Sequence, residues 1–338
     1  MPIRPLLDRR RLSLAAAGLL AWISAVPSPA RAADLLGDGA VVDSARGVAY
    51  VAQPQGGIEA LDLATGKAIW RSAAGAKPLA LVDGSLIAQD EPGTDGALRV
   101  ATLDAATGAE KARAGLALPS GISATVADGL RGSFRVRAAV LPGIDDSVVL
   151  TWTAAVAPPL RGFLPPDSRT STGAPVRATP AARAGGFRRG AARLDRTGGS
   201  LVPAADSEVA GLAAALERSV ASGGPVEADA SGISALFSID GRHALASERV
   251  AGSLHAYRWS ISDRASGTVL AVLDVPVSFA PFVVAGPRVV YLAQPSQRRE
   301  NGVTVRQELR LRALDLATGA ESWQAVVRDS AYRGPTPP

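Results

Sequence analysis

Short apolar or alternating runs recur along the chain, each ending in an aspartate-to-glycine turn. Val48-Ala49-Tyr50-Val51-Ala52 and Val289-Val290-Tyr291-Leu292-Ala293 read as strands of matching composition. Each precedes a turn segment. Ala60-Leu61-Asp62-Leu63-Ala64-Thr65-Gly66 returns as Ala313-Leu314-Asp315-Leu316-Ala317-Thr318-Gly319, and a tryptophan stands four residues past each glycine, at Trp70 and Trp323. Three weaker copies lie between them: Leu103 to Gly108 around Asp104, Leu194 to Gly199 around Asp195, and Ile261 to Gly267 around Asp263. In every copy the aspartate accepts hydrogen bonds from amides of the turn, and the glycine takes the positive φ that closes it. Each copy is therefore a β-hairpin. A hairpin cannot bury both faces alone, so the copies must stack against one another.

Two segments break this rhythm. From about 157 to 190 the chain is rich in Pro, Arg, Gly, Ala, Ser and Thr, between a strand at Ser147–Ala155 and another near Arg189–Leu194. It reads as a disordered hairpin insertion whose arginines 161, 169, 177, 183, 188 and 189 face one acid, Asp167. From Ser207 to Ala221 the apolar positions recur at helical spacing, which predicts one helix with Ser207 as its N-cap.

The ends read differently again. Arg4, Arg9, Arg10 and Arg11 precede an apolar run from Leu14 to Val26, closed by Ala30-Arg31-Ala32. This is the layout of a secretory signal over 1–32, too short for a membrane span. The arginine pair followed by Leu12-Ser13-Leu14 resembles a twin-arginine export motif. Residues 332–338 form a Pro-rich tail unsuited to an inner strand. That leaves a repeat region over 33–331, with ring closure expected from Leu36–Val42 pairing with the last repeat.

The pattern Ala-x-Asp-x-x-Thr-Gly-x-x-x-Trp resembles the tryptophan-docking motif of PQQ-binding-like (quinoprotein-type) β-propeller repeats. The resemblance implies an all-β propeller of four-stranded antiparallel blades. Five are centred on Asp62, Asp104, Asp195, Asp263 and Asp315, a sixth would hide in Ser120–Val140, and seven are possible, since the family usually has seven or eight. It assigns the structural motif to Ala60, Asp62, Thr65, Gly66 and Trp70, and to Ala313, Asp315, Thr318, Gly319 and Trp323. Degenerate copies keep Asp104 with Gly108, Asp195, and Asp263 with Gly267. The tryptophan of this motif wedges between neighbouring blades.

Composition narrows the chemistry. The signal carries five arginines against one aspartate, a balance of +4 out of the chain's +5, so the remainder is near neutral and a basic pI argues nothing for nucleic acid. The absence of cysteine excludes disulfides, thiolate metal sites and a cysteine nucleophile. His243 follows the turn Asp240-Gly241-Arg242, His255 lies in the alternating stretch Leu254–Trp259, and both read as structural. No Gly-x-Ser-x-Gly elbow supports a hydrolase. Each turn offers one carboxylate, too few oxygens for calcium. Asn301 is the sole asparagine. These features predict no catalytic, cofactor or metal residues. They predict a periplasmic or secreted monomeric scaffold or binding protein with envelope protein partners, no nucleic acid and no membrane span. The alternative is a PQQ-dependent dehydrogenase with calcium, or another propeller enzyme.

Overall fold

In the computed structural model the described residues are 34–122, 124, 134–141, 147–155, 187–195, 197–221, 227–228, 234–253, 256–294, 296–300 and 303–328. The expected signal, the insertion up to residue 186, His255 and the Pro-rich tail lie outside them.

The first sheet runs β1 (Asp34–Gly37), β2 (Ala40–Asp43), β3 (Val48–Ala52), β4 (Ile58–Asp62) and β5 (Ala68–Ser72), in that order. The second runs β6 (Lys77–Val82), β7 (Ser85–Gln89), β8 (Leu98–Asp104) and β9 (Glu110–Leu116). The third has β10 (Phe134–Val140), β11 (Val148–Ala155), β12 (Phe187–Leu194) and β13 (Leu201–Pro203), followed by α1 (Asp206–Ala221). The fourth has β14 (Glu227–Ala228), β15 (Ser234–Phe237), β16 (His243–Arg249), β17 (Tyr257–Asp263) and β18 (Val269–Val275). The fifth has β19 (Phe282–Ala285), β20 (Arg288–Ala293), β23 (Arg310–Asp315) and β24 (Glu321–Val326), with the hairpin β21 (Ser296–Glu300) and β22 (Val303–Gln307) inserted between its second and third strands. All pairings are antiparallel. The fold is a β-propeller of five blades, one per aspartate turn.

The unbroken apolar runs have a geometric cause: successive strand residues point to opposite faces, and the inner strands are buried on both. In β3, Ala49 and Val51 join a cluster with Val290, Leu292 and Leu311 of the fifth sheet. Tyr50, between them, joins Leu86, Ala88 and Leu103 of the second. Two further clusters bind the second sheet to the third through Leu98, Val100, Leu150 and Trp152, and the fourth to the fifth through Leu245, Trp259, Phe282 and Tyr291. Among the described residues no apolar cluster joins the third sheet to the fourth.

The structure corrects four expectations. Leu36–Val42 does not pair with the last sheet. It pairs within the first sheet, and the ring is drawn together there by side-chain packing and by the Arg328 amide donating to Ala52 O at 2.8 Å. Among the described residues Ser120–Val140 holds no sixth blade: Phe134–Val140 is the first strand of the third sheet. Residues 187–190, placed in the insertion, are strand, because their pairing with Thr153 and its neighbours extends the hairpin. The helix starts at Asp206, so Ser207 is not its cap. Instead the Glu208 carboxylate reaches back to accept from the Ala205 amide at 3.3 Å, and two acids sit in the first turn where the helix dipole favours them.

Candidate binding site at the open junction

Four of the five turns share one geometry. The amide and hydroxyl of Thr65 donate to Asp62 Oδ1 at 2.7 and 2.8 Å, and the Gly66 amide donates to Asp62 O at 2.7 Å. Thr107 on Asp104, Ser266 on Asp263 and Thr318 on Asp315 repeat this, with Gly108, Gly267 and Gly319 closing each turn. At Asp195 the spacing shifts, and Thr197 and the Gly199 amide are the donors.

Hydrogen bonds that favour the ionised carboxylate depress its pKa. Asp104 falls to about 2, chiefly through its bond with Lys111 and then through Thr107. Asp263 and Asp315 are lowered mainly by their turn amides, and Asp195 by Thr197. A depressed carboxylate contributes stability that is present above its ordinary pKa near 3.8 and lost as pH falls toward 2. Lys111→Met should therefore move the Asp104 titration upward, read by carboxyl NMR. An unmoved midpoint would show that the turn alone sets it.

The tryptophans complete the motif across the ring. Trp70 is paired with Ala60 in its own sheet, lies over Gly108 of the second sheet, and donates to Ala105 O at 3.1 Å. Trp323 is paired with Ala313, lies over Gly66 of the first sheet, and donates to Leu63 O at 3.1 Å. The two best-kept repeats, distant in sequence, are thus neighbours in the ring. Where the wedge position holds another residue, the contact changes. On the second sheet it is Ala112, and Gly198 of the third meets Thr102 instead. On the third it is Val202, which is exposed, and among the described residues nothing stands over Gly267; on the fourth it is Ala271, and Gly319 of the fifth meets Leu273.

Among the described residues only the fifth-to-first and first-to-second junctions carry an indole, and the third-to-fourth is the one where no other side chain takes its place. On the free face of the third sheet the apolar residues Ala139, Val149 and Ala191 are covered by Leu212 and Leu216 of α1. Farther along the same face the residues turn polar. Arg135, Thr153 and Arg189 lie side by side across β10, β11 and β12, and Arg137 lies beside Thr151. With Phe187 and, from α1, Ala213 and Glu217, they line a cleft of about 410 Å³. Neighbouring strands are about 4.8 Å apart, which sets the Arg135 and Arg189 backbones about 10 Å apart. Among the described residues no carboxylate lies in ion-pair range of these three arginines. Asp38, in the turn between β1 and β2, lies within electrostatic reach of Arg135 and Arg137. Burial opposes its ionisation, but Lys77 at 3.3 Å and the two arginines outweigh that and lower its pKa.

The cluster was hidden in sequence. Arg189 was assigned to the insertion, and Arg135 and Arg137 meet it only through strand register. His243 opens β16 with Nδ1 at 3.9 Å from Asp240 Oδ1, and Ser238 bonds that same carboxylate at 2.5 Å. Among the described residues no three His, Cys, Asp or Glu stand together to hold a metal ion. The quinone cofactor of PQQ enzymes needs a free tryptophan floor and a calcium held by several oxygens. Trp70, Trp152, Trp259 and Trp323 are all taken up in packing, and Asp38 is a single carboxylate already paired with Lys77. The described residues do not fit that cofactor. Nor, among them, is any helix long and apolar enough to cross a membrane.

Residues 10–141 match the family model described as outer membrane protein assembly factor BamB. Similar solved structures include BamB from Moraxella catarrhalis, at 13% identity and TM-score 0.25 over 84% of this chain and 62% of that one. Quinohemoprotein alcohol dehydrogenase from Comamonas testosteroni is similar at 15% identity and TM-score 0.26 over 85% and 42%. The Dos1 propeller is similar at 11% and 0.26 over 81% and 66%. The chain thus spans less than two thirds of the length of each. No curated protein matches it. Five aspartate turns, with indole wedges on two of them, form a β-propeller whose repeats resemble those of PQQ-binding-like, quinoprotein-type proteins, and the family match covers residues 10–141.

Proposed function

We propose that this protein is an exported, non-catalytic propeller that acts in the cell envelope as a scaffold or binding protein, holding protein partners through its loops and its open junction. The observation that carries this reading is how the chemically capable groups are used. The turn aspartates are spent on turn amides and the described tryptophans on packing, while the third sheet presents a polar face that no described blade covers. A propeller is a rigid frame whose function resides in the loops it carries. The BamB match supports envelope protein partners, and the expected state is a monomer.

The test is cross-linking in intact cells, comparing the full chain with a variant lacking residues 157–186. Processing to a periplasmic form and a defined partner lost with the segment are the expected results. A quinone absorption band that survives desalting after addition of PQQ and Ca²⁺, with dye reduction on alcohols, would overturn the reading in favour of a dehydrogenase.

A further inference from the structure

We infer that the cleft between the third sheet and α1 is a binding site for a phosphate-bearing ligand, held by Arg135, Arg137 and Arg189. This stands apart from the scaffold reading, since such a site serves a binding protein and an enzyme alike. Three lines converge on it. The first is position. The face lies where a neighbouring blade would pack, yet it turns from apolar at Ala139, Val149 and Ala191 to arginine and threonine at its other end. Ordinary blade packing needs apolar residues there, and this sheet's opposite face supplies them at Val136, Leu150 and Trp152.

The second is charge. Three guanidinium groups and one carboxylate, Glu217, line the cleft, a wall of net +2, while Asp38, within electrostatic reach of Arg135 and Arg137, is itself paired with Lys77. A single carboxylate ligand neutralises half of that, whereas a phosphomonoester or diphosphate carries ≈ −1.5 to −2 or more near neutrality. The third is geometry. Each guanidinium presents a planar fork that matches phosphate oxygens two at a time, and the flanking Thr151 and Thr153 hydroxyls add donors between the forks. Arg135 and Arg189 are exposed and, among the described residues, neither is in a hydrogen bond or close ion pair, so their donors are available to a ligand.

Titration calorimetry with inorganic pyrophosphate, in roughly 0.05 M salt where screening is weak, tests the site. Arg135→Ala and Arg189→Ala should each weaken binding about tenfold, since each removes charge-assisted hydrogen bonds. Glu217→Gln should tighten it. Lys67→Ala removes the same charge from an exposed turn of the first sheet and should leave binding unchanged. All four changes are at exposed positions, and matching thermal melts will show that the variants fold.

Vesicles of phosphatidic acid in phosphatidylcholine form the second arm. Binding to vesicles with the same dependence on Arg135 and Arg189 assigns the phosphate to a lipid headgroup. Binding to pyrophosphate alone assigns it to a soluble ligand. Absence of both, equal loss in the Lys67 variant, or tighter binding of hexaglutamate than of pyrophosphate overturns the proposal, the last in favour of an acidic peptide.

Discussion

Trp259→Ala is expected to destabilise the protein by about 3–5 kcal/mol, the range for deleting a buried aromatic side chain. Trp259 is fully buried between the fourth and fifth sheets. Its ring meets Tyr291 edge-on, with centroids 5.1 Å apart, and its indole N–H donates to Val277 O at 3.0 Å and Ser278 O at 2.9 Å. Removal opens a cavity among Leu245, Leu273 and Phe282 and takes the indole donor from the Val277 and Ser278 carbonyls. The damage should also be local. The fourth sheet is held by apolar packing on its fifth-sheet side, and among the described residues no such cluster ties it to the third. Hydrogen exchange of β16 to β18 should therefore speed up before that of β2 to β4. Urea unfolding gives the total, and a loss under about 1 kcal/mol, or uniform exchange, would count against this account.

Gly66→Ala should be the next most damaging change, for two separable reasons. Its φ of +70° lies in the left-handed region, and an added Cβ would fall 2.5 Å from Cγ of Trp323. Gly319 has nearly the same φ, +71°, but its Cβ would meet only Leu273 at 3.6 Å. Gly319→Ala thus isolates the backbone penalty, on the order of 1 kcal/mol. Gly66→Ala adds overpacking of the indole, typically 1–3 kcal/mol more. In the double variant Gly66→Ala with Trp323→Ala the clash is gone, so its effect should fall short of the sum of the singles. Strict additivity in thermal melts would mean that the indole and this turn are energetically independent.

These contrasts mark what was readable along the chain. The turns at Asp62, Asp104, Asp195, Asp263 and Asp315 were legible because a tight turn fixes its carboxylate and glycine at nearly constant spacing. The strands before them were legible because burial on both faces leaves continuous apolar runs. Trp259 carried no such mark: it lies in the strand before its turn, and its partners Tyr291 and Val277 come from the next repeat. The cleft arginines were equally silent. Arg135 and Arg137 alternate with apolar residues, as on any half-exposed strand, and only pairing through Thr153 and Thr151 brings Arg189 beside them. Long-range register is not written in local pattern, so the fold was accessible and the site was not.

The distribution of the indole wedges has a mechanical consequence. Trp323 and Trp70 staple the fifth sheet to the first and the first to the second, across joints where the polypeptide either is discontinuous or passes through a short link. At the third-to-fourth joint, which has no indole, α1 packs on the third sheet instead. Under tension the ring should yield first in mid-sequence, hinging open beside the arginine-lined cleft while the first and last sheets stay clasped.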